Sequence, residues 1–166
     1  MKKDKINVLF ICTGNTCRSP MAEQMFADYI KKNKMSAVVS VSSAGIYADN
    51  GRPMTPESAG VLAELGLTVY PHKSRLLTVD LIQNANVIVC MTEGHRNALV
   101  HTFTYEAAMS DGEQRITGTV KELVGEEVND PYGQGVDAYR KTAGLLTKML
   151  EPLRQYILKM MDKETV

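Results

Sequence analysis

A chain of 166 residues with 44% hydrophobic and 23% charged side chains is long enough for one domain with a real core, and its composition is ordinary for a globular protein. Its 19 basic and 19 acidic residues cancel, so neither nucleic acid nor a membrane surface would be held by bulk charge, and selectivity must come from a local site. No apolar run approaches a membrane span, and three cysteines cannot pair completely, which argues against a disulfide-built secreted fold and for a cytoplasmic protein.

The start, Met1-Lys2-Lys3-Asp4-Lys5, lacks a signal-peptide core. It leads into Ile6-Asn7-Val8-Leu9-Phe10-Ile11, a nearly all-apolar, β-prone run that reads as a strand buried on both faces. Next comes Cys12-Thr13-Gly14-Asn15-Thr16-Cys17-Arg18, with Ser19 as the expected N-cap of a helix and Pro20 at its first position. Met21, Ala22, Met25, Phe26, Tyr29 and Ile30 then recur at helical spacing and mark its inward face.

That placement has chemical meaning. A loop between a buried strand and a helix N-terminus gathers backbone N–H groups and the positive end of a helix dipole around an anion. A cysteine at its start sits among donors that favour the nucleophilic thiolate. Arg18, six residues on, can fold back and grip two oxygens of a phosphate with its planar fork. Gly14 permits the turn, and Asn15 tolerates left-handed backbone. A Cys six places before an Arg is weak evidence alone; between a strand and a helix start it points to a tetrahedral oxyanion attacked by sulfur.

Further along, Val38, Val39 and Val41 predict a second short strand, ended by a polar loop at Ser42-Ser43-Ala44-Gly45, and Asp49 to Pro53 reads as a turn. Thr55-Pro56-Glu57 starts a helix that Gly66 stops. Leu67 to Tyr70 suggests a strand and Pro71 to Arg75 a basic loop. Thr78 caps a short helix reaching Ala85, and Asn86 to Met91 is a buried strand whose Cys90 is a small core residue. Thr92 begins a helix carrying His95, Arg96 and Leu99.

Thr104 to Val128 carries little pattern beyond an edge strand at Ile116 to Val120, with Gly118 at a bulge, and a helical turn at Lys121 to Val124. Asn129-Asp130-Pro131-Tyr132-Gly133-Gln134-Gly135 is rich in turn formers. Apolar residues from Val136 to Met160 then repeat at three- and four-residue steps as one long helix, which Pro152 should kink. Strands alternating with helices predict a three-layer α/β domain over 1–166, with a mostly parallel sheet of four strands or five. Ligands in such sheets bind beyond the carboxyl ends of the strands, where the loop after the first strand lies.

Val8 to Glu23, with its run Cys12-Thr13-Gly14-Asn15-Thr16-Cys17-Arg18-Ser19-Pro20, resembles the signature of the low-molecular-weight protein tyrosine phosphatases, and Asp130-Pro131-Tyr132 resembles their second motif. Ser43-Ala44-Gly45 and His72-Lys73 fall at matching places. The resemblance implies a flavodoxin-like phosphatase in which Cys12 attacks phosphorus, Arg18 orients the phosphoryl group and Asp130 protonates the leaving atom. It further implies that Thr13, Gly14, Asn15, Thr16 and Cys17 frame the substrate with Ser19, which would donate to the Cys12 sulfur. Tyr132 would line the entrance, and Ser43 and His72 would brace the loop. The expected partners are a phosphorylated protein as substrate and inorganic phosphate or a similar oxyanion in the site, on a monomer, with no nucleic acid, membrane or cofactor.

Plainer readings stand beside these. Asp130 before proline could only start a turn, His72 could be an ordinary loop histidine, and Tyr132 a partly buried aromatic. Cys17 could be a packed thiol, or a partner for Cys12 in a reversible protective disulfide. No metal is expected, since Cys12 and Cys17 lack a second ligand pair at suitable spacing.

Thr16 bears on the substrate. Tyrosine-directed members often carry a larger aliphatic residue there, whereas the branch that hydrolyses phosphoarginine in proteins has threonine, whose hydroxyl can accept from a guanidinium. Tyr132 is followed by Gly133 where tyrosine-directed relatives often have a second tyrosine. Phosphoarginine is therefore the favoured substrate, with phosphotyrosine as the alternative. Arsenate reduction and a non-catalytic phosphate-binding module are further options, the first needing more cysteines in relay than Cys90 offers.

Overall fold

The strands are β1 (Ile6–Cys12), β2 (Val39–Gly45), β3 (Val87–Cys90) and β4 (Ile116–Thr119), in a computed structural model that describes residues 5–103 and 116–163. They form one parallel sheet in the order β2-β1-β3-β4. Alternation along β1 sends Val8, Phe10 and Cys12 to one face and Leu9 and Ile11 to the other, and Val87 and Val89 oppose Ile88 and Cys90 in the same way. Because both faces are apolar, both must be covered.

Helices α1 (Arg18–Lys32), α2 (Pro56–Glu64) and the long C-terminal α6 (Val136–Lys163) cover the first face. Its core includes Phe26 set edge-on to Phe10 at 5.9 Å, with Leu146, Met149 and Leu153 from α6. Burying each such side chain contributes about 1.5–3 kcal/mol. Helices α3 (Val79–Gln83) and α4 (Glu93–Thr102) cover the other face through Ile82 and Leu99. A short α5 (Val120–Val124) follows β4. This is the expected three-layer α/β architecture with four strands.

Several local expectations are corrected. β2 does not stop at Val41 but runs through Ser42-Ser43-Ala44-Gly45, pairing with β1 up to Cys12↔Gly45. An edge strand can carry serines, and Ser43 is buried in the network described below. Leu67 to Tyr70 is no strand; Gln24 bonds both the N–H and the carbonyl of Tyr70, supplying from a side chain what a ladder partner would have supplied. Helix α1 begins at Arg18 with Cys17 in the capping position, so Ser19 and Pro20 are its second and third residues, and the Ser19 hydroxyl is engaged elsewhere. Gly118 pairs in register with Val89 rather than forming a bulge.

Other signals hold. Thr55, Thr78 and Thr92 cap their helices with side-chain oxygens, and Gly66 follows α2 at φ +81. α6 is continuous through Pro152, which is exposed, as is Lys148, whose carbonyl loses its usual partner to the proline. Residues 104–115 of the weakly patterned stretch lie outside the described residues.

The strand order places the C-termini of β1 and β3 at the switch point, where successive connections leave the sheet in opposite directions. Cys12 ends β1 there. Gly45, its partner on β2, leaves no room for a side chain: an added Cβ would lie 2.4 Å from the Thr13 carbonyl oxygen and 2.9 Å from the Asn15 nitrogen. Gly45→Ala should therefore displace the loop after β1 and cost about 1–3 kcal/mol, read as a fall in melting temperature with loss of activity. An unchanged melt would refute this close packing.

Candidate active site

The loop from Cys12 to Arg18 turns its carbonyls outward. Those of Cys12, Thr13 and Thr16 accept from the amides of Ile46, Tyr47 and Thr55 at 3.0, 3.0 and 2.9 Å, and that of Asn15 accepts from His72 Nε2 at 2.7 Å. No described peptide is cis, and in a trans peptide the N–H points opposite to the C=O. The N–H groups of Thr13, Gly14, Thr16 and Cys17 are thereby turned to the inside of the loop. Together with the N-terminus of α1, they form a concave set of donors suited to an oxyanion.

Asn15 makes this possible. It is fully buried at φ 55, a left-handed conformation that asparagine tolerates better than most residues. Its side chain is held at every polar atom. Oδ1 accepts from the Arg75 amide at 3.0 Å, which fixes the amide's orientation, and Nδ2 donates to Ser19 Oγ and Ser43 Oγ at 2.9 Å each. Ser43 passes its own hydrogen to Glu23, and Arg75 Nε donates to the Ser43 carbonyl at 2.8 Å.

Ser19 Oγ, having accepted from Asn15, lies 2.9 Å from Cys12 Sγ in a buried contact. With one lone pair taken by Asn15, the Ser19 hydroxyl still has its hydrogen to offer the sulfur. Arg18 is also buried: Nη1 donates to the Val128 carbonyl at 3.0 Å, and Nη2 lies 3.5 Å from Thr13 Oγ1 and 3.9 Å from Asp130 Oδ2. Asp130 is half exposed, and its Oδ1 accepts from the Tyr132 amide at 3.2 Å. The turn-forming role is thus real, and it leaves the second oxygen facing Arg18.

These groups share a cavity of about 260 Å³ with Cys12, Arg18 and Thr16 in its lining and Asp130 and Tyr132 at its side. A second, more open cavity of about 680 Å³ adjoins it through Thr16, Arg52 and Tyr132. Thr16 and Tyr132 therefore border both, and Tyr132 is strongly exposed. The Cys17 Sγ lies 3.5 Å from the Tyr139 hydroxyl and 3.6 Å from Thr55 Oγ1, and all three cysteines are free thiols. Burial pushes the Cys90 thiol up to about 12, so it is inert in its strand. Among the described residues, no group of three or more His, Cys, Asp or Glu side chains is placed to hold a metal ion.

All expected site residues converge on this loop and its surroundings, and several more join them that the sequence reading had not assigned. Glu23, Arg75 and the Val128 carbonyl complete the bracing, and His95 Nε2 reaches Thr13 Oγ1 at 2.8 Å. His95 was legible only as a helix residue, although its helix follows β3, the strand beside β1, and so begins at the same sheet edge.

Comparison with known proteins agrees with the geometry. Residues 7–165 match the model of the family described as low molecular weight phosphotyrosine protein phosphatase. The chain belongs to this family. Among curated relatives, a protein-arginine-phosphatase of Bacillus subtilis is 30% identical over 155 residues, covering 93% of this chain and 98% of the relative. The low molecular weight protein-tyrosine-phosphatase PtpB of Staphylococcus haemolyticus is 32% identical, covering 90% and 98%. Among solved structures, the YwlE arginine phosphatase from Geobacillus stearothermophilus superposes with a TM-score of 0.78 at 31% identity, covering 95% and 96%. A YwlE mutant with a phosphorylated active-site serine superposes at 0.81 and 30% identity, covering 93% and 97%. No helix among the described residues is long and apolar enough to cross a membrane.

Desolvation, then the neighbouring Arg18 charge, lowers the His95 pKa from 6.5 to about 4, against smaller opposing effects of Asp130 and Glu127. As pH falls through 6.5 the unfolded chain takes up a proton that the folded chain refuses, so folding stability declines from there toward pH 4. Melting temperatures measured between pH 7 and 5 should fall more steeply for the native chain than for His95→Gln. Parallel curves would show that His95 is not held neutral.

Proposed function

We propose that this protein is a cysteine-dependent protein phosphatase, one domain over residues 1–166, that removes phosphate from phosphoarginine in protein substrates. The observation that carries the reading is the meeting of the Cys12 thiol, the Arg18 guanidinium and the Asp130 carboxylate in one small cavity under a ring of inward N–H groups.

In this reading the Cys12 sulfur attacks phosphorus as the P–N bond of the substrate breaks. Asp130 in its acid form delivers a proton to the departing guanidine nitrogen, which would otherwise leave as a strong base. Arg18 and the loop amides bind the three equatorial oxygens, stabilising the charge that develops on them. Water then attacks the cysteinyl-phosphate while the Asp130 carboxylate takes its proton, and the S–P bond breaks to free phosphate and the thiolate. Ser19, already within 2.9 Å, stabilises that thiolate as it leaves. The related YwlE structure carrying phosphate on an active-site serine supports a covalent intermediate.

The choice of substrate rests on Thr16 and on the rim. Thr16 borders the cavity with a hydroxyl able to accept from a guanidinium, whereas an aliphatic side chain would leave those donors unpaired at a cost of about 1–3 kcal/mol. Gly133 stands at φ +72, so a second tyrosine after Tyr132 would be strained, and the rim stays open for a long side chain. Relatives named as arginine phosphatases support the reading. The comparable identity to a tyrosine phosphatase keeps phosphotyrosine as the second reading. Arsenate reduction is disfavoured by the inert, buried Cys90. We place the protein in the cytoplasm as a monomer, with inorganic phosphate as the oxyanion its site retains.

Cys12→Ser should lower turnover more than about a thousandfold, and Asp130→Ala about a hundredfold or more, on phosphoarginine peptides. Thr16→Ile should shift the ratio of kcat/KM values toward phosphotyrosine. An enzyme that prefers phosphotyrosine peptides, with a ratio indifferent to Thr16→Ile, would overturn the substrate assignment; activity surviving in Cys12→Ser would overturn the mechanism.

A further inference from the structure

His95 is 82 residues from Thr13 in sequence, yet its Nε2 lies 2.8 Å from the Thr13 hydroxyl oxygen. The other ring nitrogen decides the tautomer. Nδ1 lies 3.2 Å from the Thr92 backbone N–H, a group that can only donate, so Nδ1 accepts and the ring proton sits on Nε2. His95 therefore donates to Thr13 Oγ1. The same oxygen lies 3.5 Å from Arg18 Nη2, which is also an obligatory donor. One hydroxyl oxygen, with its two lone pairs, thus stands between the imidazole and the guanidinium.

On its other side the guanidinium is held by the Val128 carbonyl at 3.0 Å through Nη1. A planar fork tied at both terminal nitrogens has one orientation rather than several. Remove the Thr13 tie, and the fork can rotate about Nη1. We propose that His95 is a positioning residue for Arg18: through the Thr13 hydroxyl it fixes the plane in which the guanidinium meets a bound oxyanion. The inference rests on reading Arg18 as the phosphoryl anchor and adds to it a residue that touches no substrate.

The surroundings fit that role. His95 is 8% exposed and belongs to the first turn of α4, where the Thr92 hydroxyl caps its own amide at 3.2 Å, so backbone and ring are both fixed. It stays neutral near Arg18, so it donates without adding a second positive charge beside the guanidinium.

The test is binding of inorganic phosphate to the purified chain, followed by titration calorimetry, with melting temperatures recorded for each variant. Loss of one hydrogen bond that orients a charged group should weaken binding about tenfold in His95→Leu and similarly in Thr13→Val. His95→Gln, which carries an N–H to about the same reach, should stay within about threefold of the native chain. Because His95 acts through Thr13, adding His95→Leu to Thr13→Val should weaken binding no further. Additive losses would overturn the proposal, as would native affinity in either single variant. Thr13 is exposed, so Thr13→Val probes the strut without disturbing the core even where His95→Leu fails to fold. Arg18→Ala separates the two layers of argument: undiminished phosphate binding there would overturn the anchor reading and this inference with it, whereas its loss with His95→Leu unaffected would overturn the inference alone.

Discussion

A single buried amide holds the loop after β1 in shape. Asn15 stands in left-handed backbone with no access to water, and every polar atom of its side chain is bonded, to Arg75, Ser19 and Ser43. An unpaired amide there would cost about 1–3 kcal/mol for each group left unsatisfied, on top of the backbone strain. That cost favours the fully bonded conformation. With Asn15 in place, the loop carbonyls find partners outside and the amides gather inside.

The same network gives direction to the hydrogen bonds around the sulfur. Arg75 contributes an amide that can only donate, so the Asn15 amide group has one orientation, and its nitrogen must donate to both serines. Ser43 then turns its hydrogen to Glu23, and the Ser19 hydroxyl shares a hydrogen bond with Cys12. Donor direction is fixed from the Arg75 backbone through Asn15 to both serines. Arg18 is held on the other wall by Val128 and Thr13, so the two sides of the cavity are braced by separate sets of residues.

Much of this was readable from the chain alone, because β1 is an almost unbroken apolar run, the segment after the loop has helical apolar spacing, and the loop between them carries its distinctive residues consecutively. Asp130 came into view through resemblance, because Asp130-Pro131-Tyr132 is similar to the family's second motif. The misreadings share a cause, since each depended on a tertiary partner that the local sequence pattern does not show. Ser42 to Gly45 looks like a polar loop until β1 pairs with it, Leu67 to Tyr70 looks like a strand until Gln24 is seen occupying its partner's place, and Ser19 looks like a cap until Cys12 and Asn15 claim its hydroxyl. His95 stayed hidden because helical spacing reports which side of a helix faces the core, not what its first turn meets beyond the sheet edge.

The parallel sheet with its long connections also sets when the site can come into being. Contacts that hold Arg18 and Cys17 span 110 and 122 residues, to Val128 and Tyr139. Such separations give a high contact order, and they cannot form on a ribosome until the C-terminal third of the chain has emerged. Asp130, the Val128 brace of Arg18 and the Tyr139 cover of Cys17 all lie far along the chain from the loop they complete. The pocket around Cys12 is therefore assembled only once these distant segments have folded together.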